Sequence, residues 1–125
     1  MVLVLTTPPV FAADLLKDIH FDVGKYDIRP EDAEILKGIA TFLMKYPNVK
    51  VQIEGHCDER GIAEYNLALG ERRANSAKNH LVSLGISADR IFTISGVKED
   101  KPLDPGHNEE TWAKNRRVHF VILSE

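Results

Sequence analysis

Val49-Lys50-Val51-Gln52-Ile53-Glu54-Gly55-His56-Cys57-Asp58, the stretch VKVQIEGHCD, alternates between two kinds of side chain. Successive side chains of an extended strand point to opposite faces. Val49, Val51, Ile53, Gly55 and Cys57 therefore share one face, and Lys50, Gln52, Glu54, His56 and Asp58 the other. That is the pattern of a half-buried strand, and a strand with one greasy face needs helices to cover it.

The flanking segments supply them. Upstream, Pro30 suits the first position of a helix, and Glu31 and Asp32 follow where the helix dipole favours acids. Leu36, Ile39, Ala40 and Leu43 recur at helical spacing, and Lys45 and Pro47 close the element. Downstream, a second helix is predicted from about Ala63 to Leu84, stopping at Gly85. Its apolar stripe is expected to be Leu67, Ala74, Ala77, Leu81 and Leu84, with Asn66, Leu69 and Arg73 on the shoulder and Arg72 on the solvent side.

Further out, Ile19 to Asp22 alternates like a strand, and Arg90 to Ser95 reads as another. A loop with Pro and Gly (Lys101 to His107) and a short helical turn at Glu109 to Lys114 lead to a last, β-branched strand, Arg117 to Leu123. The two β-helix-β units predict parallel pairing with right-handed crossovers, while the direction of the last strand is open. The order βαβαβ-(short α)-β gives an α/β (α+β) two-layer sandwich, a small mixed sheet with helices on one face.

A chain of 125 residues, 43% hydrophobic and 28% charged, suits one domain with one modest core. We divide it into an N-terminal tail or linker, residues 1–15, and a single domain, residues 16–125. The tail has no basic segment before its short apolar run, so it is read as a linker or the stub of a removed segment. No stretch approaches the length of a membrane span. The net charge of −3 lacks the basic footprint of a nucleic-acid binder. A single cysteine allows neither an internal disulfide nor a cysteine-rich zinc module.

The densest chemistry is Glu54-Gly55-His56-Cys57-Asp58-Glu59-Arg60-Gly61. Metal binding fits poorly, because strand phase sends Cys57 inward and no second ligand pair stands at a zinc spacing. The same phase denies Cys57 a base and access to substrate, and no serine sits in a nucleophile elbow. Clustered acids beside arginines are more often ion pairs than acid–base catalysts. Arg73, at the core edge of the second helix, needs a partner. Asp58 as a structural ion-pair partner and Asp58–Arg73 as a clamp for a zwitterionic ligand remain equally open from the residues alone.

Residues 54–87, EGHCDERGIAEYNLALGERRANSAKNHLVSLGIS, together with DIHFDVGKYDIRPEDAEIL upstream and EDKPLDPGHNEETWAKNRRVHFVIL downstream, closely resemble the OmpA-like domain family, and within it the peptidoglycan-associated lipoprotein (Pal) branch. The resemblance implies an OmpA-like sandwich that is not an enzyme. It implies non-covalent binding of peptidoglycan through the diaminopimelate of the stem peptide. The family's aspartate and arginine fall on Asp58 and Arg73, with Asn66 and Leu69 at the flanking positions, Phe21 and Asp22 in the early Phe-Asp motif, and Arg116 in the late Asn-Arg-Arg motif. It further implies a periplasmic location and a tie between outer membrane and wall, through an N-terminal anchor not present in this chain. The alternative is a Tol-Pal interaction module, contacting Tol-system proteins, without direct wall binding. No cofactor, metal or nucleic acid is expected. Cys57 stands where the family commonly has threonine or alanine, which should alter packing more than binding.

Overall fold

In the computed structural model, residues 16–57, 63–95 and 108–124 are described. In chain order they form β1 (Ile19–His20), α1 (Pro30–Lys45), β2 (Lys50–Gly55), α2 (Ala63–Ser83), β3 (Ile91–Ser95), α3 (Glu109–Asn115) and β4 (Arg117–Ser124). A 3₁₀ turn, Ala88–Arg90, precedes β3, so Arg90 ends a turn and does not open the strand as the sequence suggested. Likewise β1 is only two residues long, and Phe21 and Asp22 lie beyond it.

The strand order is β1-β4-β2-β3. β2 and β3 pair in parallel, with Val51 opposite Ile91 and Gly55 opposite Ser95. β4 runs antiparallel to both of its neighbours. It lies between β1 and β2, so the first β-helix-β unit does not pair its own strands, contrary to the expectation. A strand that is antiparallel to both gains ladder bonds on each edge, whereas a direct β1–β2 pair would leave it only an outer edge.

Strand phase determines which face is covered. Val51, Ile53, Ile91, Val118 and Phe120 point into the core beneath Leu36, Ile39, Leu43, Ala74, Ala77 and Leu81 of the long helices. The alternate positions carry Gln52, Glu54, Phe92, Ile94 and Leu123 on the open face. α1 begins as read, with Pro30 in its first turn and Glu31 and Asp32 behind it.

α2 departs from its expected stripe. Leu67 is exposed, and the buried face of the first half consists of Asn66, Leu69, Gly70 and Arg73. The cause is a close crossing: a Cβ on Gly55 would collide with the Gly70 carbonyl oxygen, and one on Gly70 would sit 2.9 Å from the Gly55 oxygen. Backbone meets backbone there, leaving no room for a leucine. Ser95 fastens the crossing by donating its hydroxyl to the Leu67 carbonyl at 2.7 Å.

Candidate functional site

Arg73 is the largest fully buried side chain among the described residues, at 0% exposure. It therefore lies in the core, deeper than the edge position its helical angle suggested. A guanidinium taken out of water must have its donors occupied. Nε donates to the Lys25 carbonyl at 2.8 Å, Nη1 to the His56 carbonyl at 3.1 Å and Nη2 to the Asp22 carbonyl at 3.1 Å. Its Cζ stands 5.2 Å from the centre of the Phe21 ring, within cation–π range. One side chain thus ties the loop after β1 to the end of β2.

That loop turns at Gly24, whose φ of +67° lies in the left-handed region that glycine adopts without strain. The turn is closed by the Lys25 amide donating to the Asp22 carbonyl at 3.0 Å. The Asp22 side chain is exposed, with its carboxylate 3.4 Å from Arg29 Nη1. Arg29 in turn holds Asp32 at 2.7 Å.

The remaining candidates distribute as follows. Asn66 and Leu69 are buried on the α2 face that carries Arg73. Cys57 is buried as expected, and its thiol donates to the Asn66 carbonyl at 3.2 Å, which joins the end of β2 to α2. Asp58 lies outside the described residues. Arg116 is buried and donates from Nε to the Phe21 carbonyl at 3.0 Å and from Nη2 to Glu109 at 2.9 Å. It fastens Phe21, and so the floor under Arg73, to the α3–β4 junction. Arg72 is exposed, with its guanidinium 5.8 Å above the Tyr26 ring. Tyr65 is 56% exposed on the rim.

Sequence reasoning missed the backbone half of the site. The carbonyls of Asp22, Lys25 and His56 carry no side-chain signature, and only the placement of Arg73 reveals them. It also misplaced His56, whose ring is enclosed although strand phase put it on the open face. β2 ends at Gly55, so the two-residue period stops before His56 and Cys57, and both are buried.

On the open face, Asp18 accepts from His119 Nδ1 at 2.7 Å and faces Arg117 Nε at 3.4 Å. The hydrogen bond to Asp18 raises the pKa of His119. Burial lowers that of Arg117, although Asp18 and Glu54 oppose it. The Arg117 contact is an ion pair by distance, but among the described residues Nε and Nη1 make no aligned hydrogen bond. Among the described residues, no group of three or more His, Cys, Asp or Glu side chains is arranged to hold a metal ion.

A buried arginine thus binds the loop after β1 to the end of β2, beside a helix crossing at Gly55–Gly70. The OmpA family's sequence pattern matches residues 20–116, and the chain belongs to that family. Among its relatives it is similar to the peptidoglycan-associated lipoprotein of Pasteurella multocida, at 44% identity over 100 residues, covering 80% of this chain and 66% of that protein. Its similarity to the peptidoglycan-associated lipoprotein of Rhizobium meliloti is 43% over 112 residues, covering 90% of this chain and 63% of that one. The chain thus spans slightly under two thirds of these relatives. The crystal structure of the peptidoglycan-associated lipoprotein from Burkholderia pseudomallei superposes with a TM-score of 0.80 at 36% identity, covering 85% of this chain and 89% of that one. The C-terminal domain of Helicobacter pylori MotB shares the fold at 20% identity and a TM-score of 0.78.

Proposed function

We propose that this domain binds peptidoglycan non-covalently, through the diaminopimelate of its stem peptide, and so ties the outer membrane to the cell wall from the periplasm. The observation that carries the reading is Arg73, fully buried and fastened to the Asp22, Lys25 and His56 carbonyls. The similarity to peptidoglycan-associated lipoproteins supports it.

The chemistry is that of a zwitterion clamp. The free end of diaminopimelate carries an ammonium and a carboxylate on one carbon. An arginine and an aspartate a few ångströms apart match that pair, and charge-assisted hydrogen bonds reward both contacts. A guanidinium has five N–H donors, and three of those of Arg73 hold backbone carbonyls. The other two serve a carboxylate in this scheme, that of Asp58 when the site is empty and that of the ligand when it is filled. Asp58 then takes the ligand ammonium. Asn66, Leu69, Phe21, Asp22 and Arg116 support the walls. No bond is broken in this scheme, and the protein acts as a binder rather than a hydrolase. No observation on the described residues favours a Tol-system module without wall binding.

Co-sedimentation with purified sacculi tests the reading. Wild type should pellet, Asp58→Ala should bind at least about tenfold more weakly, the loss of one charge-assisted contact, and no muropeptides should be released. Undiminished binding by a folded Asp58→Ala variant would remove the clamp assignment.

A further inference from the structure

We propose that His56 is a positioning residue for Arg73 and makes the clamp acid-sensitive: the neutral imidazole holds the His56 carbonyl against Arg73, and a proton on the ring withdraws it. The consequence for ligand binding rests on the wall-binding reading above, whereas the coupling between His56 and Arg73 does not.

The geometry places His56 between two buried arginines. Its amide donates to the Arg117 carbonyl at 2.8 Å, and its own carbonyl accepts from Arg73 Nη1 at 3.1 Å. The side chain is only 2% exposed, with Nε2 3.4 Å from Glu54 Oε1. That carboxylate assigns the ring proton of the neutral form to Nε2 and leaves Nδ1 as an acceptor. Nδ1 is buried with no hydrogen-bond partner among the described residues, as are Nε and Nη1 of Arg117.

Protonation would convert Nδ1 into a donor with nothing to receive it. It would also place a second cation beside Arg117 in a site shielded from water. The charged and titratable groups around the ring are few. Glu54 lies on its own strand, and Arg117 and His119 come from β4. Asp18, ahead of β1, is already engaged by His119 and Arg117, and His20 on β1 pairs in register with Arg117. Among the described residues, only Glu54 meets the ring directly as a counter-charge. Burial first, and Arg117 second, hold the His56 pKa down to about 4, against the pull of Glu54. The least costly relief for a protonated ring is to swing toward water. The ring is enclosed at 2% exposure, so reaching water requires the His56 backbone to move with it, and its carbonyl is the one that accepts from Arg73.

Nuclear magnetic resonance resolves both ends of this linkage in the ligand-free protein. The His56 ring should titrate near pH 4 rather than near 6.5, and the Arg73 Nη1–H signal, which reports the bond to the His56 carbonyl, should shift with the same midpoint. Glu54→Gln removes the described group that favours the proton, so both midpoints should move together to lower pH. His56→Phe should abolish the Arg73 transition. Sacculus binding should track the neutral fraction, falling about twofold at pH 4 and about tenfold one unit lower, with the fall displaced to lower pH in Glu54→Gln. An Arg73 signal that stays constant while His56 titrates, or midpoints that separate in Glu54→Gln, would overturn the coupling. Failure of the wild type to bind sacculi at pH 7 would instead overturn the wall-binding reading and leave the resonance result to stand on its own.

Discussion

Two arginines in this molecule do nearly the same thing at different places. Arg90 donates to the Val49 carbonyl at 3.0 Å, the Leu43 carbonyl at 2.8 Å and the Tyr46 carbonyl at 2.9 Å. It thereby satisfies the last carbonyls of α1 and ties the turn before β3 to the start of β2. Arg73 also spans carbonyls, but those of Asp22, Lys25 and His56, in the segments leading into and out of loops. An arginine that staples backbone is therefore not by itself a ligand site. What distinguishes Arg73 is complete burial, a buried histidine on one of its carbonyls, and an exposed acid, Asp22, beside it.

Substitution should separate the two. Arg73→Ala takes the guanidinium donor from the Lys25 and His56 carbonyls, leaves that of Asp22 with the Lys25 amide alone, and empties the volume of a fully buried side chain. It should cost about 3–5 kcal/mol, measured by urea denaturation, with sacculus binding lost as well. Arg90 is half-buried, so water can reach the carbonyls that Arg90→Ala vacates. A cost of about 1–2 kcal/mol is expected, with the affinity of the folded protein unchanged. Equal losses of affinity in the two variants would erase the distinction.

Gly55→Ala sharpens the same contrast from another direction. The added methyl meets the Gly70 backbone, so α2 must lift along the stretch that carries Arg73. Overpacking of this kind costs about 1–3 kcal/mol, and binding should weaken beyond what the stability loss explains. Arg73→Lys, with one compact ammonium in place of a five-donor fork, should retain more stability than alanine and still bind poorly.

The smallest effect belongs to the open face. His119 has its pKa raised by Asp18, so its contribution to stability is present below the unfolded value near 6.5 and is lost as pH rises through the folded value. His56 runs the other way. Its folded pKa of about 4 is depressed, so stability is full above about 6.5 and declines as pH falls toward 4. Asp18→Asn should therefore flatten the loss of stability on the alkaline side of pH 6.5 by less than about 1 kcal/mol, His119 being partly exposed. The acid-side decline set by His56 should remain.

Much of this was legible in the sequence where it depended on local periodicity. The VKVQIEG alternation, the Leu36–Leu43 spacing and the stop at Gly85 each report a regular element seen from within. The insertion of β4 between β1 and β2 was not legible, because it depends on pairing between segments far apart in the chain. Leu67 was misplaced because a helical wheel assumes that apolar residues face inward. Here the inward face is set by the Gly55–Gly70 contact, and polar side chains satisfied by carbonyls occupy it. Arg73 was singled out by the cost of an unpaired charge and by family motif, but its depth and its three carbonyl partners are properties of the folded backbone.

The central claim is that Arg73 and Asp58 together grip a zwitterionic wall peptide. Its most direct measurement is calorimetric titration at pH 7 of the wild type, Asp58→Asn and Arg73→Lys with a stem peptide carrying diaminopimelate, and with the same peptide carrying lysine in its place. The account predicts that wild type prefers the diaminopimelate peptide by at least about tenfold and that each variant loses most of that preference while remaining folded. Equal affinity of the wild type for both peptides, or a preference that survives in both variants, would contradict it.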